Sequence, residues 1–174
     1  MRNVALSLGS NINPYHHIGM ALDALQARYG DLLTSSVFES EAVGFNGANF
    51  LNMVVLVETD DPLEVLVEFL KKFEDEAGRA RNTPKFSGRT VDVDVLTYGD
   101  VCGEMQGITL PRPEIMENAY VLWPLSQVLY DEIHPGGTLS YGELWAQYEK
   151  SRQKIWSIDF KWQGRSISRE GLKP

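Results

Sequence analysis

Apolar and polar residues alternate at the start of the chain, with Val4, Leu6 and Leu8 on one side and Ala5 and Ser7 on the other. This period of two predicts a strand that runs into the turn Gly9-Ser10-Asn11. Asn13-Pro14 then supplies a helix cap and a first-turn proline, and Ile18, Leu22, Leu25 and Tyr29 form an apolar stripe closed by Gly30. Two more strands are expected over about Leu32 to Ala42 and about Phe50 to Thr59, separated by Gly44-Phe45-Asn46-Gly47. A second helix opens at Asp61-Pro62, buries Leu63, Leu66, Leu70 and Phe73, and ends at Gly78. Val91-Asp92-Val93-Asp94-Val95 alternates again and predicts a fourth strand.

The order βαββαβ specifies an α+β, ferredoxin-like sandwich: an antiparallel sheet with both helices on one face. Beyond residue 110 the pattern weakens. Asn118 to Leu129 reads as helical apart from Pro124, Tyr141 to Lys150 as a short helix, and Ile155 to Trp162 as a strand that extends the sheet. No internal repeat or low-complexity stretch divides the 174 residues, so one domain is expected over 1–174.

Composition narrows the functional class. One cysteine, Cys102, excludes an internal disulfide framework and a zinc site built on several thiolates. The amino terminus MRNVALSLGSN turns polar early, and no apolar run reaches membrane-spanning length, so neither a secretory signal nor a membrane span is expected. A cytoplasmic protein follows as the simplest expectation. A net charge of −8 argues against nonspecific nucleic-acid binding. Within that acidic chain Arg79, Arg81, Lys85 and Arg89 form a basic island without an acidic neighbour from 79 to 89, suited to a small polyanion such as a nucleotide phosphate. Charge alone fits a solvated loop equally well.

Asp92 and Asp94 carry the sharpest chemical signal. Residues two apart in a strand share a face, so the two carboxylates lie side by side while Val91, Val93 and Val95 turn toward the helices. The aspartates then belong to the face without helices. Adjacent carboxylates repel unless a cation intervenes, and hard oxygen ligands suit Mg²⁺, which takes few protein carboxylates and completes its shell with water and phosphate. In isolation Asp-x-Asp is more often a polar strand face. Arg89, three residues upstream, changes the weighting, because phosphoryl-type transfer combines Mg²⁺ with arginines. Phe50 and Asn52 share a strand face in the same way and could stack on a flat heterocycle and read its polar edge.

Gly9-Ser10-Asn11, Phe50-Leu51-Asn52, Gly78-Arg79, Gly88 to Asp94, Leu110-Pro111 and Tyr120 to Leu125 together resemble the hydroxymethyl-dihydropterin pyrophosphokinase family over about residues 1–145, leaving 146–174 as an unassigned extension. The resemblance implies that Asp92 and Asp94 bind two Mg²⁺ ions, and that Arg79 and Arg89 contact the phosphates of ATP from catalytic loops. It implies a nucleotide site that includes Glu74, Arg81, Lys85, Thr109 and Arg112. It places hydroxymethyl-dihydropterin between Phe50 and Tyr120, with Asn52 on its polar edge and Ser40 and Val43 beside it. The implied reaction is attack of the pterin hydroxyl on the β-phosphorus of ATP, releasing AMP, within folate biosynthesis and by a monomer.

The chain departs from the family pattern at several positions. Arg112 stands where a histidine is usual, Asn118 and Gly107 where arginines occur, Phe86 for a tryptophan and Lys85 for an arginine. Two readings therefore stand: a working pyrophosphokinase, and a pterin- or nucleotide-binding paralogue that transfers nothing. An RNA-binding ferredoxin-like module fails on the acidic balance and on Asp92 and Asp94, which would repel phosphate without metal. His16, His17 and His134 lack a partner pattern for metal binding or nucleophilic catalysis, and Cys102 lacks a basic neighbour to activate it.

Overall fold

A computed structural model describes residues 1–42, 47–79 and 90–174, with Arg79 described by its backbone alone. Strands β1 (Arg2–Ser10), β3 (Val37–Ser40), β4 (Phe50–Thr59) and β5 (Asp92–Tyr98) form the body of one sheet, with helices α1 (Pro14–Tyr29) and α2 (Leu63–Arg79) between them in the chain. The sheet order is β5-β1-β4-β3, and every one of these neighbours is antiparallel. Numbered by the four expected strands this order is 4-1-3-2, and the expected α+β fold class is observed.

Valines and leucines decide which face is covered. Val4, Leu6, Leu8, Met53, Val55, Val57, Val93 and Val95 point to one side and pack against Ile18, Leu22 and Leu25 of α1 and Leu63, Leu66 and Leu70 of α2. Each such fully buried side chain contributes roughly 2 kcal/mol of transfer free energy.

Local chemistry moved several boundaries. Asn13 does not cap α1 with its side chain; its backbone is left-handed, and its carbonyl accepts from His17 N–H at 3.1 Å. Gly78 does not stop α2, which continues to Arg79. The strand expected from Leu32 to Ala42 is split into β2 (Leu33–Thr34) and β3. At the break, Ser35 Oγ accepts from Val54 N–H at 2.9 Å, replacing a ladder bond with a side-chain bond. β5 outruns its alternating stretch because the register against β1 shifts between Ala5 and Leu6, making Leu96 an extra residue.

The largest revision concerns the second face. It is not free of helices: α4 (Ala119–Val128) and α5 (Tyr141–Gln147) cover Ala5, Phe38, Val54 and Leu96. A four-residue helix, α3 (Glu114–Glu117), precedes them. Pro124 lies inside α4 rather than ending it. The lost backbone bond costs stability, but Val121 to Ser126 are all buried, and that packing holds the helix.

Ile155 to Trp162 also divides. β8 (Ile155–Ile158) pairs with β3 and extends the sheet as expected, whereas β9 (Phe160–Trp162) pairs, among the described residues, only with β10 (Arg165–Ser168). Ser168 Oγ accepts from Val37 N–H at 2.8 Å, and the Phe160 ring stacks on Tyr15 at 5.5 Å, tying the hairpin to β3 and α1. No helix among the described residues is long and apolar enough to cross a membrane.

Candidate active site

Strand register assembles the site. On the face that α4 partly covers, Gly9 of β1 lies directly opposite Asn52 of β4 on one side and Asp92 of β5 on the other. One step along, Ser7 lies opposite Asp94. With strands about 4.8 Å apart, Asn52 and Asp92 are separated by roughly 10 Å of backbone, and the residue between them has no side chain. A Cβ at Gly9 would sit 3.4 Å from Asn52 Oδ1. The result is a cavity of about 440 Å³, lined among others by Ser7, Gly9, Ser40, Glu41, Phe50, Asn52, Asp92, Asp94, Tyr120 and Val121. Its size is that of a small-ligand site.

Each wall is held in place. Asn52 is buried, 6% exposed, and its Nδ2 donates to Ser40 Oγ at 2.8 Å. Phe50 supplies an aromatic ring from the sheet and Tyr120 another from the first turn of α4. Burial pushes the Tyr120 phenol above its ordinary pKa, and the nearby carboxylates of Glu114 and Glu117 push the same way, so it stays protonated as a donor.

β5 is the edge of the sheet, and two residues cover its outer groups. Glu74 Oε2 on α2 accepts from Val93 N–H at 2.9 Å, and Arg112 Nε donates to the Val95 carbonyl at 3.0 Å. The same guanidinium lies 3.9 Å from Asp94 Oδ1, whose side chain is 54% exposed. A smaller hollow of about 190 Å³, lined in part by Lys71, Glu74, Asp94 and Arg112, adjoins the main cavity through Asp94. Among the described residues no group of three or more His, Cys, Asp or Glu gathers around one point. Two carboxylates on one face suit a metal that shares its shell with phosphate and water rather than a closed protein cage.

The expected residues therefore divide by where they lie. Ser40, Phe50, Asn52, Asp92, Asp94 and Tyr120 meet in the main cavity, and Glu74 and Arg112 meet Asp94 beside it. Thr109 is exposed on β7 (Ile108–Leu110), which forms a hairpin with β6 (Gly103–Met105), and it lines none of these hollows. Val43, Arg81, Lys85 and Arg89 lie outside the described residues, and Arg79 is the last residue of α2. Sequence reasoning missed Ser7, Gly9, Glu41 and Val121 as lining residues. Alternation from Ala5 already put Ser7 and Gly9 on this face, which was the available signal for them.

Size does not select the site. A larger hollow of about 690 Å³ at the opposite end of the sheet is lined by Arg2, Thr59, Asp100 and His134 among others, and among the described residues none of the expected site residues lines it.

The sequence model for 7,8-dihydro-6-hydroxymethylpterin-pyrophosphokinase matches residues 5–130. The chain belongs to this family. Among its relatives, the 2-amino-4-hydroxy-6-hydroxymethyldihydropteridine pyrophosphokinase of Bacillus subtilis is 34% identical over 134 residues, 74% of this chain and 79% of that one. The protein of the same name from Aquifex aeolicus is 34% identical over 138 residues, 78% of this chain and 85% of the other. A crystal structure of Plasmodium falciparum HPPK-DHPS with pteroate matches at a TM-score of 0.70 and 13% identity, over 96% of this chain and 49% of that one. That likeness is one of fold, and this member of the family spans about half the length of that structure.

Proposed function

We propose that this chain transfers a pyrophosphoryl group from ATP to 6-hydroxymethyl-7,8-dihydropterin, releasing AMP, as a step of folate biosynthesis. Family membership makes it a pyrophosphokinase, and relatives at 31–34% identity carry that name. The observation that carries the finer reading is the row Asn52–Gly9–Asp92, which puts an amide suited to a heterocycle edge and a carboxylate suited to a metal into one cavity.

In this reading the pterin occupies the 440 Å³ cavity, with Phe50 and Tyr120 against its faces and Asn52 on its polar edge, while Ser40 fixes the Asn52 amide. The backbone at Ser40 and Val43 borders the same ring. Asp92 and Asp94 hold Mg²⁺, two ions in the full complex. Bound there, the metal would neutralise phosphate charge. ATP lies toward Glu74 and Arg112, and Arg79, Arg81, Lys85, Arg89 and Thr109 complete its surroundings. The pterin hydroxyl oxygen bonds to the β-phosphorus and loses its proton. The bond from that phosphorus to the α,β-bridging oxygen breaks, and AMP leaves. Arginines that meet the phosphates as charge develops lower the barrier. A cytoplasmic monomer is the corresponding proposal for its setting.

The paralogue without transfer is not favoured, and two of the departures that suggested it have local explanations. Gly107 follows Gln106 in the two-residue turn between β6 and β7, where both have positive φ, 75° and 53°. A hairpin turn of that shape selects glycine. Asn118 makes a hydrogen bond to Gln153. The test is AMP release from ATP and Mg²⁺ with and without the dihydropterin: pterin-dependent AMP is expected, and its absence would return the paralogue reading.

A further inference from the structure

The extension beyond the family-matched residues reaches the start of α4, the helix that presents Tyr120 to the cavity. A 3₁₀ turn, Lys150–Arg152, leads into Gln153, and β8 then pairs so that Ile155 lies opposite Ser40. This register delivers Gln153 to the cavity end of the sheet. Its carboxamide bonds twice to the start of α4: Oε1 accepts from Ala119 N–H at 2.7 Å, and Nε2 donates to Asn118 Oδ1 at 2.8 Å. Ala119 is the first residue of α4, so its N–H has no partner within the helix, and the Asn118 side chain makes no cap bond of its own. A side chain from 34 residues downstream performs the capping.

The next residue is Tyr120, whose carbonyl would ordinarily accept from the residue four positions on. That residue is Pro124, which has no N–H to donate. The turn that presents Tyr120 to the cavity therefore has one internal bond fewer, which raises the importance of the external clamp.

We infer that Gln153 is a positioning residue for the pterin pocket: by clasping Asn118 and Ala119 it fixes where α4 presents Tyr120 beside Phe50 and Asn52. This inference rests on the functional reading above. It also explains why a chain of this family can carry asparagine at 118, because the extension uses that amide.

The test is calorimetry with hydroxymethyl-dihydropterin and, separately, with a non-hydrolysable ATP analogue. Gln153→Leu keeps the side chain's bulk and loses both bonds, so it is expected to weaken pterin binding by about 5–10-fold with less than about a twofold change for nucleotide. Gln153→Glu can accept from Ala119 N–H and from the Asn118 amide once that amide is turned over, so it should restore pterin affinity. If Gln153→Leu does not fold, Asn118→Ala, which removes one of the two bonds, should show about a 2–5-fold loss with the same selectivity. Unchanged pterin affinity in Gln153→Leu, equal losses for both ligands, or no recovery in Gln153→Glu would overturn the clamp. A wild-type protein that binds no pterin would overturn the functional reading and the clamp with it, whereas wild-type binding that Gln153→Leu retains would overturn the clamp alone.

Discussion

Asn52 and Asp92 stand in one row of the sheet with one strand between them, each directly opposite Gly9. The space between them exists because β1 carries no side chain at that point. Gly9→Val should fill it: the branched side chain would lie against Asn52 Oδ1, only 3.4 Å from the first added carbon. We expect at least ~10-fold weaker pterin binding, about 1.4 kcal/mol, in a protein that still melts cooperatively. Titration of the variant with pterin decides this, and unchanged affinity would remove the ligand from this cavity.

Asp94 is exposed, and its one described ion pair, with Arg112, spans 3.9 Å. A solvent-exposed pair of that kind contributes about 0–1 kcal/mol. Asp94→Ala should therefore leave the melting temperature nearly unchanged while lowering turnover by ~10²-fold or more, as expected when a charge-stabilising contact is lost. Mg²⁺ titration of the same variant should show weaker activation. A folded Asp94→Ala protein with near-normal turnover would exclude Asp94 as a metal ligand.

Glu74 serves the fold as well as the proposed nucleotide site. Its carboxylate satisfies Val93 N–H on the edge strand at 2.9 Å. Glu74→Ala should cost about 1–2 kcal/mol by leaving that donor without its partner, whereas Glu74→Gln retains an acceptor and should cost less. Urea denaturation of the two variants separates the effects, and equal stabilities would mean that the bond contributes nothing.

His134 gives the fold a pH dependence at the end remote from the site. Burial lowers its pKa below the ordinary 6.5 while its Nδ1 lies 3.0 Å from the Tyr141 hydroxyl. The unfolded chain thus binds a proton that the folded chain resists. Stability is unaffected above pH 6.5 and falls as the pH drops below it. His134→Gln should lose less stability than the wild type between pH 7.5 and 5.5 in parallel denaturation curves, and identical losses would assign the effect to other groups.

Much of this was legible from local pattern. Alternation placed Asp92 and Asp94 on one face, and β4 begins and ends where the apolar run does. Features set by distant partners were not. Ser35 breaks a strand because Val54 needs its hydroxyl, and Leu96 breaks an alternation because β1 is one residue short there. Gly9 read only as part of a turn, since its absent side chain matters once Asn52 and Asp92 are known to lie opposite it. The cover of α4 over the second face and the reach of Gln153 to Asn118 join segments far apart in sequence, where periodicity carries no signal.

The most direct measurement is ³¹P NMR of wild-type protein turning over ATP and Mg²⁺ with hydroxymethyl-dihydropterin. Transfer of the pyrophosphoryl group as one unit predicts AMP and a two-phosphorus ester of the pterin accumulating in equal amounts, with both formed at least ~10²-fold more slowly by Asp94→Ala. Formation of ADP or free orthophosphate instead, or AMP without the pterin ester, would contradict it.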